Sequence, residues 1–448
     1  MDDLAPLPHK TNDRADALAV LTRLREAGHV AYFAGGCVRD LLLGREPKDY
    51  DVATDAPPGR VRALFSHTQA VGAAFGVILV RHRKSQVEVA TFRADGRYVD
   101  GRHPEGVTFT TAEEDAKRRD FTINGLFLDP VADQVIDFVG GQADLAARVI
   151  RAIGVAERRF EEDHLRLLRA VRFAARFGFA IEPGTARAIR DHAPQLTRIS
   201  PERVADELRA MLPPPTRVAA WRMLNELDLA RVVFRFVDVP PGDPDDDRPA
   251  DGFFHRLAPD EPVAFPLAMA AAAAQWLWWA SPATADARRV FDRPVAAKLV
   301  GALRRSLRMS NEECESIEGT YTGLAPLLAD APPGVAAMKR FLARPTAAQS
   351  RQLMAAMAAG GVLDAARTSE LERELAALER TEFAPAPLIT GDDLAAAGAK
   401  PGPAFKRMLD AAYDAQLEGR AMTRDEAMVI ALAAGRAEPS GRGDPSRG

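Results

Sequence analysis

The chain is 448 residues long, 47% hydrophobic and 27% charged, with a formal net charge of -4. These values exclude a disordered or fibrous chain, and the length exceeds a single hydrophobic core, so about two to four domains are expected. The slightly acidic balance leaves any polyanionic partner to local basic patches, and the two isolated cysteines, Cys37 and Cys314, make neither a disulfide framework nor a zinc cluster.

The opening MDDLAPLPHKTNDRAD is acidic and has no apolar run, so it does not read as a signal peptide; with the cysteine usage this points to the cytoplasm. Residues 14–27 carry the spacing of an amphipathic helix, and residues 30–33 predict a short strand running into Gly35-Gly36. Paired glycines let the backbone turn tightly and bring its N–H groups against an anion. Arg39 follows near the start of a helix, where its guanidinium can grip phosphate oxygens in a bidentate fashion. Asp49 and Asp51 flank Tyr50 in a stretch of β character. On a strand such acids share one face, and a cation between them offsets their repulsion. Magnesium suits them, since it takes one or two carboxylates together with substrate phosphates, whereas a lone Asp-x-Asp is ordinarily a solvated strand end. No Gly-Lys-Ser/Thr closes the loop, so it is not a Walker motif.

Residues 77–80 and 87–91 read as a hairpin across a polar turn at 81–86. Glu88 on its second strand is the third-carboxylate candidate beside Asp49 and Asp51; the plainer reading is an exposed strand acid. The glycine- and charge-rich RADGRYVDGRHPEG, residues 93–106, reads as a mobile loop. In EEDAKRRDFTINGL, Arg119 can hold a triphosphate, while Asp120 and Asn124 can bond a ribose hydroxyl or order the acid pair; a surface charge run is the alternative. Residues 131–138 predict a further strand pair or edge.

Helical spacing dominates after about residue 151. In EDHLRLLRAVRFAARFGF, residues 162–179, Leu167, Leu168, Val171, Ala174 and Ala175 share one face. Asp163, Arg166 and Arg169 form a polar stripe opposite them. Asp and Arg present fixed donor and acceptor edges that can pair with a nucleobase; an intrahelical ion pair is the alternative. Residues 238–262 read as an acidic, proline-rich linker, and VAFPLAMAAAAAQWLWWA as a buried helix rather than a membrane span. A final unit spans residues 388–434, followed by a disordered end.

GGCVRDLLLG…KDYDVAT, RRDFTINGL and EDHLRLLRAVRF, in this order, resemble the class II tRNA nucleotidyltransferase and bacterial poly(A) polymerase family. The resemblance runs over about residues 30–210 and includes SPERVADEL at 200–208. It implies an α+β chain: a polymerase-β-like nucleotidyltransferase head (1–150), then an all-α neck (151–212), body (213–380) and RNA-binding tail (381–434), with 435–448 disordered. The implied reaction transfers CMP and AMP from CTP and ATP to a tRNA 3′ end, releasing pyrophosphate, with Mg2+ in a two-metal site. By motif position, Asp49 and Asp51 would bind magnesium, Gly36, Arg39 and Arg119 the triphosphate and sugar, and Asp163 and Arg166 the base edges, supported by Arg169. The 93–106 loop lies where the family switches from adding C to adding A, which argues against a C-only enzyme. It leaves open an A-adding enzyme or a poly(A) polymerase, and a catalytically idle RNA-binding protein is a third alternative. Gly125 departs from the alanine of many relatives, and no HD-type hydrolase pairing is present. In the tail, Lys400, Lys406 and Arg407 around Gly402-Pro403 are candidates for RNA phosphates. No membrane and no obligate protein partner is expected.

Overall fold

The computed structural model describes residues 13–72, 75–83, 85–96, 106–237, 252–281, 286–400 and 402–436, in two units, Met1–Arg235 and Phe236–Gly448. Most of the 93–106 loop, the first part of the acidic stretch (238–251) and the last twelve residues lie outside the described residues.

The first unit opens with α1 (Arg14–Glu26), whose N-cap Asp13 accepts a 2.7 Å bond from Asp16 N. There follow β1 (Ala31–Ala34), α2 (Gly36–Leu42), β2 (Val52–Thr54), α3 (Pro58–Leu64), β3 (Thr68–Gly72), β4 (Val77–His82), β5 (Ser85–Thr91), β6 (Arg93–Asp95), β7 (Val107–Phe109) and α4 (Ala112–Lys117). The chain continues through β8 (Leu126–Asp129), β9 (Gln134–Asp137), α5 (Gly141–Ala147), β10 (Val149–Ile150), α6 (Ala156–Glu162), α7 (Arg166–Phe177), β11 (Ala180–Ile181), α8 (Pro183–His192), α9 (Pro201–Met211), α10 (Arg217–Glu226) and α11 (Leu229–Val233). Seven strands form one mixed sheet in the order β3-β4-β5-β2-β1-β8-β9. Its pairs are antiparallel except β2 with β5, which run parallel with Val52 beside Val89 and Thr54 beside Thr91.

The hairpin differs from the sequence reading in the length of its turn. β4 and β5 continue through Arg81↔Gln86 and His82↔Ser85, because the ladder bonds only backbone and lets polar side chains face out. Val131 is not in a strand; it is 69% exposed in the turn after β8, where Asp129 Oδ1 accepts from Val131 N and Ala132 N. The apolar face expected of residues 162–179 is present: Leu167, Leu168 and Val171 are fully buried in α7.

The second unit is helical: α12 (Phe265–Ala280), α13 (Arg293–Leu307), α14 (Asn311–Leu324), α15 (Val335–Leu342), α16 (Ala347–Ala359), α17 (Ala365–Glu379), α18 (Gly391–Ala396), α19 (Pro403–Leu417) and α20 (Arg424–Arg436). The alanine-rich segment is α12, buried from Phe265 to Trp276 at all but one position, with Tyr321 of α14 donating its hydroxyl to Ala270 O at 2.6 Å. Among the described residues no helix is long and apolar enough to cross a membrane. The second half of the acidic stretch is not a solvated linker. Phe253, Phe254 and Leu257 are fully buried, because Gln275, itself fully buried in α12, accepts from Phe254 N at 2.5 Å. In α18–α20, Leu394, Met408, Ala412, Ala415, Ala427 and Ala431 form a core of their own.

Replacing Gln275 by Leu strands the Phe254 N–H in an apolar interior. The expected loss is about 1–3 kcal/mol in urea unfolding followed by far-ultraviolet circular dichroism; an unchanged midpoint would contradict that role.

Candidate active site

β1 ends at Ala34, the chain reverses at Gly35 (φ +71), and α2 starts at Gly36. Gly35 N donates to Leu126 O at 2.9 Å, which pins the turn to β8. The Gly35 backbone angle favours glycine, and a Cβ there would lie 2.6 Å from Arg119 Nη1, so a side chain at this position displaces the guanidinium. Arg39, expected to contact the triphosphate, is buried behind the glycine turn. It is 4% exposed, donates from Nη1 to Asn124 Oδ1 (2.5 Å) and from Nε to Asp40 Oδ1 (2.8 Å), and lies over the rings of Phe173 and Phe177. Sequence proximity to the glycines does not reveal that α7 supplies two rings to cover it.

Asp49 and Asp51 precede β2 rather than sitting within it. Asp49 is exposed; Asp51 is half-buried and its carbonyl accepts from Ala34 N at 3.0 Å. The parallel register of Val52 with Val89 sets Glu88 beside Asp51. Burial, then the charges of Glu88 and Asp49, push the Asp51 carboxyl up to about 7 against the pull of Arg119. Glu88 is raised too, by desolvation first and Asp49 second. Among the described residues no three His, Cys, Asp or Glu side chains converge tightly enough to cage an ion alone. Two hard-oxygen carboxylates, crowded by a third, nevertheless fit magnesium, which completes its shell with phosphate and water. The neighbouring Cys37 thiol is buried and pushed up to about 12, which leaves it protonated and inert.

Facing the acids is a wall of arginines. Asp115, 1% exposed, takes Arg118 on Oδ1 (2.7 and 2.9 Å) and Arg119 on Oδ2 (3.0 and 3.1 Å). Burial would raise its carboxyl, but Arg119 and then Arg118 hold it below the usual range. Asp120 accepts from Asn124 Nδ2 (2.9 Å), Phe121 N (2.8 Å) and, on its other oxygen, Arg169 Nε and Nη2 (2.9 and 2.6 Å). Burial pulls Asp120 upward, yet Arg169 and Asn124 bring it to about 2. Asp120 and Asn124 thus act as buried connectors between Arg39 and Arg169. Gly125 beside them leaves a methyl only 2.6 Å from Val139, so in this chain the position is closely filled.

Asp163 is not on the helix with its two arginines. It lies extended between α6 and α7, because α7 begins only at Arg166. Its Oδ1 accepts from Leu165 N (3.0 Å) and its Oδ2 from Arg203 Nη2 (2.8 Å). Arg166 donates to Glu162 Oε2 (2.7 Å), Arg159 O (2.9 Å) and Arg118 O (3.2 Å). Three of the five guanidinium N–H groups are thereby used, and the residue also borders the cleft. The alternative reading, an ion pair between Asp163 and Arg166, is not what forms: Asp163 pairs with Arg203 and Arg166 with Glu162. Arg203, Asp115 and Glu162 were not singled out from sequence. Their signal was weak, an acid or base three or four residues from its partner or on another helix.

These groups line one cleft of about 440 Å³: Gly35, Gly36, Asp51 and Glu88 on one side, with Arg93, Arg118, Arg119, Asp120, Asn124, Asp163, Arg166, Arg169 and Arg203 around them. Asp49 and Arg39 are not among its lining residues. In the second unit, Lys400, Lys406 and Arg407 are exposed, the last two at the fourth and fifth positions of α19, which opens at Pro403 behind Gly402.

Residues 31–151 match the poly A polymerase head domain, and residues 178–239 match the probable RNA and SrmB-binding site of polymerase A. The CCA-adding enzyme of Geobacillus stearothermophilus is 46% identical over 215 residues, 48% of this chain and 53% of that protein. A CCA-adding enzyme of Streptococcus pyogenes is 48% identical over 200 residues, covering 44% and 50%. The chain's alignments thus span about half the length of these curated relatives. The crystal structure of the Bacillus stearothermophilus CCA-adding enzyme in complex with CTP superposes with a TM-score of 0.64 at 30% identity, covering 94% of this chain and 97% of that one. The Thermotoga maritima CCA-adding enzyme complexed with tRNA shares the fold at 20% identity, with a TM-score of 0.65, 95% of this chain and 96% of that one.

Two outcomes follow from the geometry. Gly35→Ala forces Arg119 off its position, so the variant should fold yet lose nucleotide affinity by at least about 10-fold in equilibrium titration; affinity equal to the parent would refute the contact. For Asp120 the folded carboxyl (about 2) lies below the ordinary value of 3.8. Its stabilisation is therefore complete above about pH 4 and lost as pH falls through about 2. Urea unfolding should show a shallower acid dependence for Asp120→Asn than for the parent.

Proposed function

This chain belongs to the family of CCA-adding enzymes and poly(A) polymerases, and from that premise we propose that it adds CMP and AMP, without a template, to the 3′ end of tRNA. The observation that carries the reading is the division of the cleft into the crowded acids Asp51 and Glu88, with Asp49 beside them, and an arginine wall. A nucleoside triphosphate with its metal needs both, and a plain RNA-binding groove has no use for crowded carboxylates.

Asp49 and Asp51 are the residues assigned to magnesium, with Glu88 adding negative charge beside them. When bound, magnesium supplies Lewis-acid stabilisation of the phosphates and of the attacking hydroxyl. Arg119, braced by Asp115, and the backbone at Gly35-Gly36 hold the triphosphate. The RNA 3′ oxygen then bonds to the α-phosphorus, the bond to the bridging oxygen of the leaving pyrophosphate breaks, and the hydroxyl proton passes to water. Arg39, buried behind the loop, positions Asn124 instead of touching phosphate.

Base choice falls to Asp163 and Arg166. Asp163, fixed by Leu165 N and Arg203, accepts from the exocyclic amine that cytosine and adenine share; Arg166 donates to the adjacent ring acceptor. Uracil offers a carbonyl where Asp163 needs a donor, so UTP leaves a desolvated carboxylate facing an oxygen. Arg169 supports the arrangement through Asp120. Residues 1–150 form the head, 151–212 the neck, 213–380 the body and 381–434 the tail, whose Lys400, Lys406 and Arg407 contact RNA phosphates.

The deciding assay uses magnesium and a tRNA transcript ending before CCA, with CTP, ATP or both, resolved to single nucleotides. Two C additions, one A and then arrest are expected. Addition of A only, to a transcript already ending in CC, would make it an A-adding enzyme; long A tails on many RNAs would make it a poly(A) polymerase. Asp51→Ala should lower incorporation on the order of 10³-fold, and undiminished incorporation would overturn the metal assignment. Asp163→Ala or Arg166→Ala should reduce preference for CTP over UTP by roughly 100-fold; full discrimination in both would dismiss them as the base-reading pair.

A further inference from the structure

Beside the cleft two phenyl rings stand in solvent, Phe75 at 36% and Phe109 at 43% exposure. Single exposed apolar residues need no explanation, but these two are built into one patch around an arginine. The antiparallel register of β6 with β7 sets Arg93 directly opposite Phe109, so their side chains share a face. The Arg93 guanidinium also lies 6.0 Å from the centre of the Phe75 ring and donates to the Phe75 carbonyl. Gly76, at φ +84, follows Phe75 and packs against the other ring; a Cβ there would lie 3.1 Å from Phe109 Cε1. Arg93 and Val77, two residues beyond Phe75, both line the cleft, which makes the patch continuous with its wall.

We propose that Phe75, Phe109 and Arg93 form a stacking platform for the unpaired bases at the RNA 3′ end, just upstream of the reacting hydroxyl. The proposal rests on the reading of function above and names a binding surface for its RNA substrate. The hydroxyl must reach the acid pair, so the nucleotides behind it leave the cleft along its wall. Two aromatic faces with a cation are the recurrent means of holding single-stranded bases, and they tolerate any base because every base has a π-face. Such tolerance suits an enzyme whose substrate ends in a different base after each addition. The incoming nucleotide is not the occupant, since its base is read inside the cleft at Asp163 and Arg166.

The test places 2-aminopurine as the last nucleotide of a tRNA transcript ending before CCA and follows its fluorescence on binding. The parent protein should quench it. Phe75→Leu and Phe109→Leu keep an apolar side chain but remove the π-face. Each should weaken the quench and raise the RNA KM about 10-fold, with KM for CTP moving far less. Phe75→Trp and Phe109→Tyr should restore both readouts. Leucine variants that quench and bind like the parent overturn the proposal, as do aromatic replacements that fail as leucine does. Self-association abolished by the leucine substitutions, with RNA binding unchanged, would assign the rings to a protein contact and also overturn it. The quench does not depend on turnover: a parent protein that quenches but adds no nucleotide refutes the function and leaves the platform standing.

Discussion

A buried line of charge and hydrogen bonds, Asp40–Arg39–Asn124–Asp120–Arg169, holds the site together. It ties three segments distant in sequence: the helix after the glycine turn, the turn before β8, and α7. Inside a protein such bonds polarise one another, while an unpaired member is costly, so the line forms as a unit or not at all. The cleft is shaped by what the line fixes. Arg39 anchors α2 against Phe173 and Phe177 of α7, and Arg169 is turned toward Asp120 at the cleft wall. Thus the loop that faces the acid pair and the helix that follows Asp163 are set relative to each other by one set of contacts.

The same logic explains why the arginines differ in their freedom. Arg39 is enclosed away from the cleft, whereas Arg119 lines it, braced by Asp115 through Nε and Nη2 and by Asn124 O, which accepts from its Nη1 at 3.2 Å beside Gly35. Arg166 is intermediate, held by Glu162 and two carbonyls yet bordering the cleft. Pre-organised cations of this kind bind a polyphosphate without first losing side-chain entropy. The acids opposite them stay crowded, and burial together with Glu88 and Asp49 raises the carboxyl of Asp51.

Much of this was legible in the sequence, for identifiable reasons. Asp49 and Asp51 stood out because two acids behind a glycine turn are chemically unusual, and Glu88 because a hairpin strand carried it next to them. The apolar stripe of α7 followed from helical spacing. Asp163 falls outside that helix, which spacing alone does not show because periodicity does not mark where a helix starts; it closes the turn ahead of α7 instead, accepting from Leu165 N and Arg166 N. The burial of Arg39 is not legible because sequence gives neighbours along the chain, not the rings that fold over it. The second half of the acidic stretch looked solvated because its polar composition hid Phe253 and Phe254, which Gln275 draws inward.

The sheet has one parallel pair, β2 with β5. Parallel neighbours cannot be joined by a tight turn, so α3, β3 and β4 must be traversed before Glu88 can reach Asp51. Pairings of that kind tend to come late, because chain closure precedes their reward. The acid centre is therefore absent from any partly folded head that has formed only its local hairpin. The head completes its acid centre only when β5 has docked beside β2, a step its local hairpin cannot accomplish alone.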